Sequence, residues 1–212
     1  MSEQHYVLGY GSLMSHDSRY RYSNIDAKGT PVLLSGWQRG WVVNCPIEKF
    51  TSVGATENEH AQLNALLVPV DEITPELQSR EKNYRFSPVD PSQVIPFNES
   101  DEVPQSQAKF WVCEVLNPSQ PCENHPIYQS YLDTCIAGCL ESANENFASL
   151  FITSTFGWLN AHKQDEEKQQ AHWVNDRDTP FYPRAASINE EIAERIDDLL
   201  AQLDVLPYRQ EK

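Results

Sequence analysis

The pattern of apolar and polar positions changes character part way along the chain. His5 to Tyr10 reads as a strand running into Gly9-Tyr10-Gly11-Ser12, a tight turn at a strand end. Pro31 to Asn44 is rich in Val, Leu and Trp, and its alternation puts Trp37, Arg39, Trp41 and Val43 on one strand face. Gly36 and Gly40 inside it predict bulges or sharp bends. Ser52 to Thr56 and Leu63 to Val70 read as a hairpin joined by the polar stretch Glu57 to Gln62. Thr74 followed by Pro75 is a helix start, and the helix should run to about Asn83. Arg85 to Val89 and Phe110 to Leu116 are strands, separated by the acidic loop Asn98 to Gln107.

Beyond that point the spacing becomes helical. Ile127 to Glu141 and Asn144 to Thr153 are expected helices. The charged run Ala161 to Ala171 reads as a solvated helix or a mobile segment. Ser187-x-x-Glu190 forms a capping box before an apolar period at Ile188, Ile192, Ile196, Leu199 and Leu203. Strands dominate to about residue 116 and helices after it. The order predicts an α+β fold, a closed or bent sheet flanked by helices.

Charge narrows the partners. The chain has 212 residues, 31 acidic against 16 basic, for a net charge of −15. Such an excess disfavours nucleic acid and anionic membrane surfaces, which both need clustered Lys and Arg. No apolar run approaches the roughly 20 residues of a membrane span, and the N-terminus has no basic region before its short apolar stretch, so a cytoplasmic location is expected. Five cysteines, an odd number, fit reduced thiols better than a disulfide framework. Cys122-x-x-His125 followed by Cys135-x-x-x-Cys139 has a spacing that zinc could use. Cys135 and Cys139, however, lie one turn apart in an apolar helix, where cysteine serves as a small core residue, so no metal site is assigned.

Three features could carry chemistry. Gly9-x-Gly11-x-x-Met14 departs from a dinucleotide fingerprint at its third position. The turn also lacks the Gly-Lys ending of a P-loop and the second glycine of a nucleophile elbow around Ser12. What remains is a turn with exposed amides from Tyr10 through Gly11 and Ser12 to Leu13. It is either an anion cradle or a plain turn without a ligand. In the helix from Pro75, residues Ile73, Leu77, Glu81 and Tyr84 share a face that is otherwise apolar. Glu81 is then either a desolvated carboxylate with a raised pKa, suited to proton transfer, or a helix-end residue that turns to water or to Arg85. Trp158, Trp173, Arg177, Tyr182 and Arg184 could clamp a substrate carboxylate, but such residues more often cover a core edge. The six histidines show no metal-ligand spacing and receive no role.

Together these residues resemble the gamma-glutamylcyclotransferase superfamily. The likeness rests on Val7-Leu8-Gly9-Tyr10-Gly11-Ser12-Leu13-Met14 and on Leu77-x-x-Arg80-Glu81 followed by Tyr84, with support from Gly36-Trp37-x-Arg39. It covers roughly residues 6 to 140, which implies a small closed or bent mixed β-barrel flanked by helices as a domain over residues 1–140, with a helical C-terminal extension over 141–212. The family implies cleavage of a gamma-glutamyl amide to 5-oxoproline and a free amine or amino acid. Glu81 would be the catalytic residue, and Tyr10, Gly11, Ser12 and Leu13 would bind substrate. The substrate's own α-amine attacks its γ-carbonyl, so neither an enzyme nucleophile nor a metal or organic cofactor is required. The expected partner is a small gamma-glutamyl molecule, and the sequence leaves the oligomeric state open. Two alternatives stay open: a non-catalytic binding module of the same fold, and removal of a gamma-glutamyl protecting group in a biosynthetic pathway.

Overall fold

The computed structural model describes residues 4–82, 84–162 and 165–211, with the backbone alone at 76 and 160–169. In chain order the elements are β1 (Gln4–Gly9), α1 (His16–Ser23), β2 (Thr30–Cys45), β3 (Phe50–Val70), α2 (Pro75–Arg80), β4 (Arg85–Val89), β5 (Val94–Pro96) and β6 (Ala108–Glu114). They continue with β7 (Ile127–Tyr128), α3 (Gln129–Ser142), α4 (Glu145–Thr153), β8 (Thr155–Phe156), β9 (Asn160–His162), β10 (Asp165–Gln170), β11 (Trp173–Val174) and α5 (Glu190–Gln202). No helix among the described residues is long and apolar enough to cross a membrane.

The main sheet is mixed, in the order β4-β6-β1-β3-β2-β5, with β8 added alongside β2. β1 runs antiparallel to β3 and parallel to β6. β3 also touches β6 directly, Ala55 opposite Glu114. One long strand that pairs with both neighbours on the same side must bend, so the sheet curls into a half-barrel. The fold class is therefore α+β, with a curled mixed sheet and helices, as the pattern predicts.

Several local readings change. Ser52 to Val70 is not a hairpin but part of β3, a single strand paired along its length with β2. Register jumps between Trp37↔Glu57 and Ser35↔Gln62, where β2 holds only Gly36 and β3 bows outward through Asn58 to Ala61. Polarity there marks a solvent-facing bulge, not a chain reversal. Gly36 has φ +83°, as a bulge requires. Gly40 serves otherwise: the Phe156 ring lies where its Cβ would be, with the nearest atom at 2.3 Å. The reversal itself lies at residues 46–49, closed by Lys49 in the left-handed region donating to the Cys45 carbonyl at 2.8 Å. α2 stops at Arg80, short of the expected end; Asn83 lies outside the described residues. The charged run after residue 160 forms the antiparallel pair β9–β10 instead of a helix. α5 is capped by the Asn189 side chain, which accepts from the Ile192 amide, and not by Ser187.

One core joins early and late residues. α3 is buried along most of its length. Trp41 packs edge-on against Trp158 at 5.2 Å, and Trp158 tilts onto Trp173 at 5.3 Å. Ile196 and Leu200 of α5 belong to the same cluster. Arg177 bridges Asp133 of α3 and Asp197 of α5, at 2.8 Å to each. Cys135 and Cys139 are fully buried on α3, and Cys139 lies against the Met14 sulfur at 3.1 Å. Burial pushes both thiols up, Cys139 to about 12, as for cysteines packed in a core.

Arg39 sits at the centre of this assembly and is fully buried. Its donors reach Thr155 Oγ1 (2.7 Å), Asn64 Oδ1 (2.7 Å), Ser154 Oγ (2.9 Å) and the carbonyls of Asn64 (2.9 Å), Phe151 (3.0 Å) and Tyr10 (3.1 Å). All six acceptors are uncharged. One guanidinium thus ties β2 to β3, to the end of α4 and to the turn after β1.

Candidate functional site

β1 delivers its last residues to the inside of the curled sheet. Tyr10 follows, with its phenol donating to the Cys113 carbonyl and accepting from the Ala55 amide at 3.2 Å. Gly11 to Met14 then form one 3-10 turn, closed by the Met14 amide on the Gly11 carbonyl at 2.9 Å. A helical start leaves its first amides without intrahelical partners, here those of Ser12 and Leu13. Gly11 is required by space and not by backbone sign. Its φ is −133°, but a Cβ would lie 2.9 Å from both Tyr131 Oη and Val53 Cγ2.

α2 delivers the second part. Thr74 caps it and Leu77 is buried beneath it. Glu81 is the residue that ends the helix, with φ −99° and ψ 31°. This termination, one residue after Arg80, turns the carboxylate toward the turn that follows β1.

The two parts meet in one cavity of about 80 Å³, which Gly11, Ser12 and Leu13 share with Arg80 and Glu81. The β2–β3 hairpin adds Cys45, Glu48, Ser52 and Val53, and β6 adds Cys113. Tyr84, Tyr131 and Arg184 complete it. Every sequence-predicted site residue, Tyr10, Gly11, Ser12, Leu13 and Glu81, therefore lines a single space. Arg177 lies elsewhere, within its aspartate pairs.

Arg80 joins the halves. Its side chain is 2% exposed. One terminal nitrogen donates to Ser12 Oγ (2.9 Å) and Ser18 Oγ (3.0 Å), the other to the Ser18 carbonyl (2.9 Å) and Ser23 Oγ (3.0 Å). Its Nε lies 3.3 Å from Glu81 Oε1. The Glu81 side chain is 11% exposed. Burial raises its pKa above the usual carboxylate value, against the opposing pull of Arg80 and Arg184. The result is a carboxylate that is held in place yet easier to protonate than one in water. Arg85, the alternative partner in sequence, pairs with Glu114 at 2.6 Å instead.

Ser52 and the tyrosines add polar, neutral groups to the wall. Tyr84 Oη donates to the Val53 carbonyl at 2.8 Å and shares a hydrogen bond with Ser52 Oγ at 2.9 Å. Burial drives the Tyr10, Tyr84 and Tyr131 phenols well above their ordinary value, so they remain neutral. Cys113 is likewise held as a thiol by burial and by the field of Glu81. No thiolate or serine–histidine pair faces Glu81 among the described lining residues. Sequence reasoning left Arg80, Ser52 and Tyr131 without a role and favoured a structural role for Arg184. Arg80 had a usable signal, a cation beside the candidate glutamate; Tyr131 and Ser52 had none, since both read as ordinary core and strand residues.

No protein-family model matches the chain. No curated protein matches it in sequence. Solved structures do share its fold. A structure described as a gamma-glutamyl cyclotransferase superposes with TM-score 0.57 at 10% identity, covering 92% of this chain and 99% of that one. The uncharacterized protein loc79017 from Homo sapiens superposes with TM-score 0.56 at 12% identity, over 92% of this chain and 99% of its own. YkqA from Bacillus subtilis gives 0.50 at 15% identity, over 69% of this chain and 52% of that one. The chain has the gamma-glutamyl cyclotransferase fold.

Proposed function

We propose that this chain is a gamma-glutamylcyclotransferase-like enzyme, cleaving a gamma-glutamyl amide to 5-oxoproline and a free amine. The observation that carries the reading is the single cavity in which a desolvated Glu81 faces the Gly11–Leu13 turn, with Arg80 bonded to one and ion-paired to the other. Likeness of fold supports it at the level of architecture.

The chemistry follows from the parts. The α-ammonium of the glutamyl group must lose one proton to attack the γ-carbonyl, and a second, which passes to solvent, as the five-membered lactam closes. The leaving nitrogen must gain a proton as the amide C–N bond breaks. Glu81 takes the first proton as carboxylate and returns it as the acid, and a raised pKa favours that exchange near neutral pH. The Ser12 and Leu13 amides offer donors to a negative oxygen of the curled substrate. A narrow cavity holds the flexible glutamyl chain bent, which is where an intramolecular reaction gains most. The buried neutral phenols keep the walls polar without competing for the proton.

A panel tests the reading. The protein is incubated with glutathione, gamma-glutamyl amino acids and gamma-glutamylamines, and 5-oxoproline release is measured. Turnover of one class supports the proposal and names the leaving group. Tight binding without 5-oxoproline from any of them favours the non-catalytic binding module.

A further inference from the structure

We propose that Arg184, supplied by the segment between β11 and α5, binds the free α-carboxylate of the glutamyl group, and that the enzyme therefore requires a substrate whose α-carboxylate is unblocked. The inference rests on the cyclisation reading above.

Arg184 lines the cavity that holds Glu81, although it lies about a hundred residues further along the chain. Its Nε donates to Tyr182 Oη at 3.2 Å, and its guanidinium lies 5.1 Å from the Tyr182 ring centre. Tyr182 is itself fixed: it is buried, and edge-on to Tyr131 at 4.8 Å and to Phe50 at 5.4 Å. The arginine is thus held in place before any ligand arrives. Its two terminal nitrogens take no hydrogen-bond or ion-pair partner among the described residues. The other cations of the cavity are committed, Arg80 to three serines and Glu81, and Lys82 to Glu48 at 3.5 Å. A guanidinium with two free parallel donors matches a carboxylate.

Position selects which carboxylate. Arg184 lines the same cavity as the Gly11–Leu13 turn and Glu81, so a carboxylate on its terminal nitrogens lies within the space that the turn and the acid enclose. The α-carboxylate and the α-ammonium share one carbon. A carboxylate anchored on Arg184 places the ammonium toward Glu81, the group that must deprotonate it. Its charge also offsets the arginine, which otherwise holds the Glu81 pKa down.

Two substrates test this: gamma-glutamyl-alanine, and the same compound with its α-carboxylate converted to a carboxamide. Both can cyclise, and alanine release is followed for each. The wild type should prefer the free acid. Measured on the plateau of each pH profile, Arg184→Met should lower kcat/KM for the free acid about 10- to 100-fold more than for the carboxamide, the worth of a hydrogen-bonded charge, so the preference collapses. Arg184→Gln, which retains a donor for Tyr182, should lose the preference in the same way; Arg184→Lys should retain part of it. Equal loss on both substrates, or a preference that survives in Arg184→Met and Arg184→Gln, overturns the assignment. No alanine from either substrate with the wild type, when the panel above also gives no 5-oxoproline, overturns the cyclisation reading itself.

Discussion

Arg39→Met should unfold the protein at a markedly lower temperature while conserving volume in the core. The wild-type guanidinium is fully buried and donates six hydrogen bonds to uncharged acceptors. Burial pulls its pKa down to about 10, so it remains charged at neutral pH. A hydrogen bond to a charged group contributes about 1.5–3 kcal/mol. Six would sum to about 9–18 kcal/mol, as much as the whole stability of most domains, and much of that is cancelled by removing the cation from water, several kcal/mol. Each buried acceptor left unmatched by Arg39→Met costs about 1–3 kcal/mol, and with the cation's desolvation no longer opposing folding the net loss should be about 3–5 kcal/mol. For a chain of this size each kcal/mol moves the melting temperature by about 2–4 °C, so the fall should be about 6–20 °C. Differential scanning calorimetry of wild type, Arg39→Met and Arg39→Lys measures it, with Lys intermediate because it carries charge but fewer donors. An Arg39→Met protein melting within about 2 °C of wild type would refute the view that this cation is the tie between the turn, β3 and α4.

The turn after β1 should depend on space more than on hydroxyl chemistry: Gly11→Val should lose most of its kcat/KM because the new side chain meets Tyr131 and Val53, whereas Ser12→Ala, losing one bond from Arg80, should keep substantial activity. A dead Ser12→Ala beside a healthy Gly11→Val would move the chemistry to the hydroxyl. Arg80 lowers the Glu81 pKa; Arg80→Gln should therefore shift the acid limb of the kcat/KM profile to higher pH, since the base works only above its pKa, and an unmoved limb would detach Arg80 from the proton transfer. The raised Glu81 pKa also predicts a stability trend. Its contribution is fully present below the ordinary value of 4.5 and is lost as pH rises through the folded pKa, so the melting temperature of Glu81→Gln relative to wild type should climb across that window.

Much of this was legible because the signals were local. β1 and its turn, β4 and the helix start at Thr74-Pro75 each depend on neighbouring residues. Glu81 stood out because an apolar helix face carried one acid. The readings that changed depend on contacts distant in sequence. The polar stretch in β3 looks like a loop until β2 pairs along it. α2 ends before any breaker residue, and Tyr84 beyond it bonds to Ser52 and the Val53 carbonyl. β10 is composed of residues poor at forming strands and is extended through pairing with β9. Arg184 and Tyr131 enter the cavity from the C-terminal half, and no spacing rule connects either with Glu81. Arg39 read as one position on a strand face; its role emerges only when β3 and α4 surround it.

The most direct test is turnover by Glu81→Gln. Gln is nearly isosteric and retains a polar contact for Arg80, so the far-UV circular dichroism should match wild type and the melting temperature at neutral pH should be no lower than wild type's. With the substrate that wild type turns over best, 5-oxoproline release should fall by about 10²- to 10⁴-fold, the usual cost of losing a general acid–base group. A folded Glu81→Gln protein releasing 5-oxoproline at close to the wild-type rate would contradict the account.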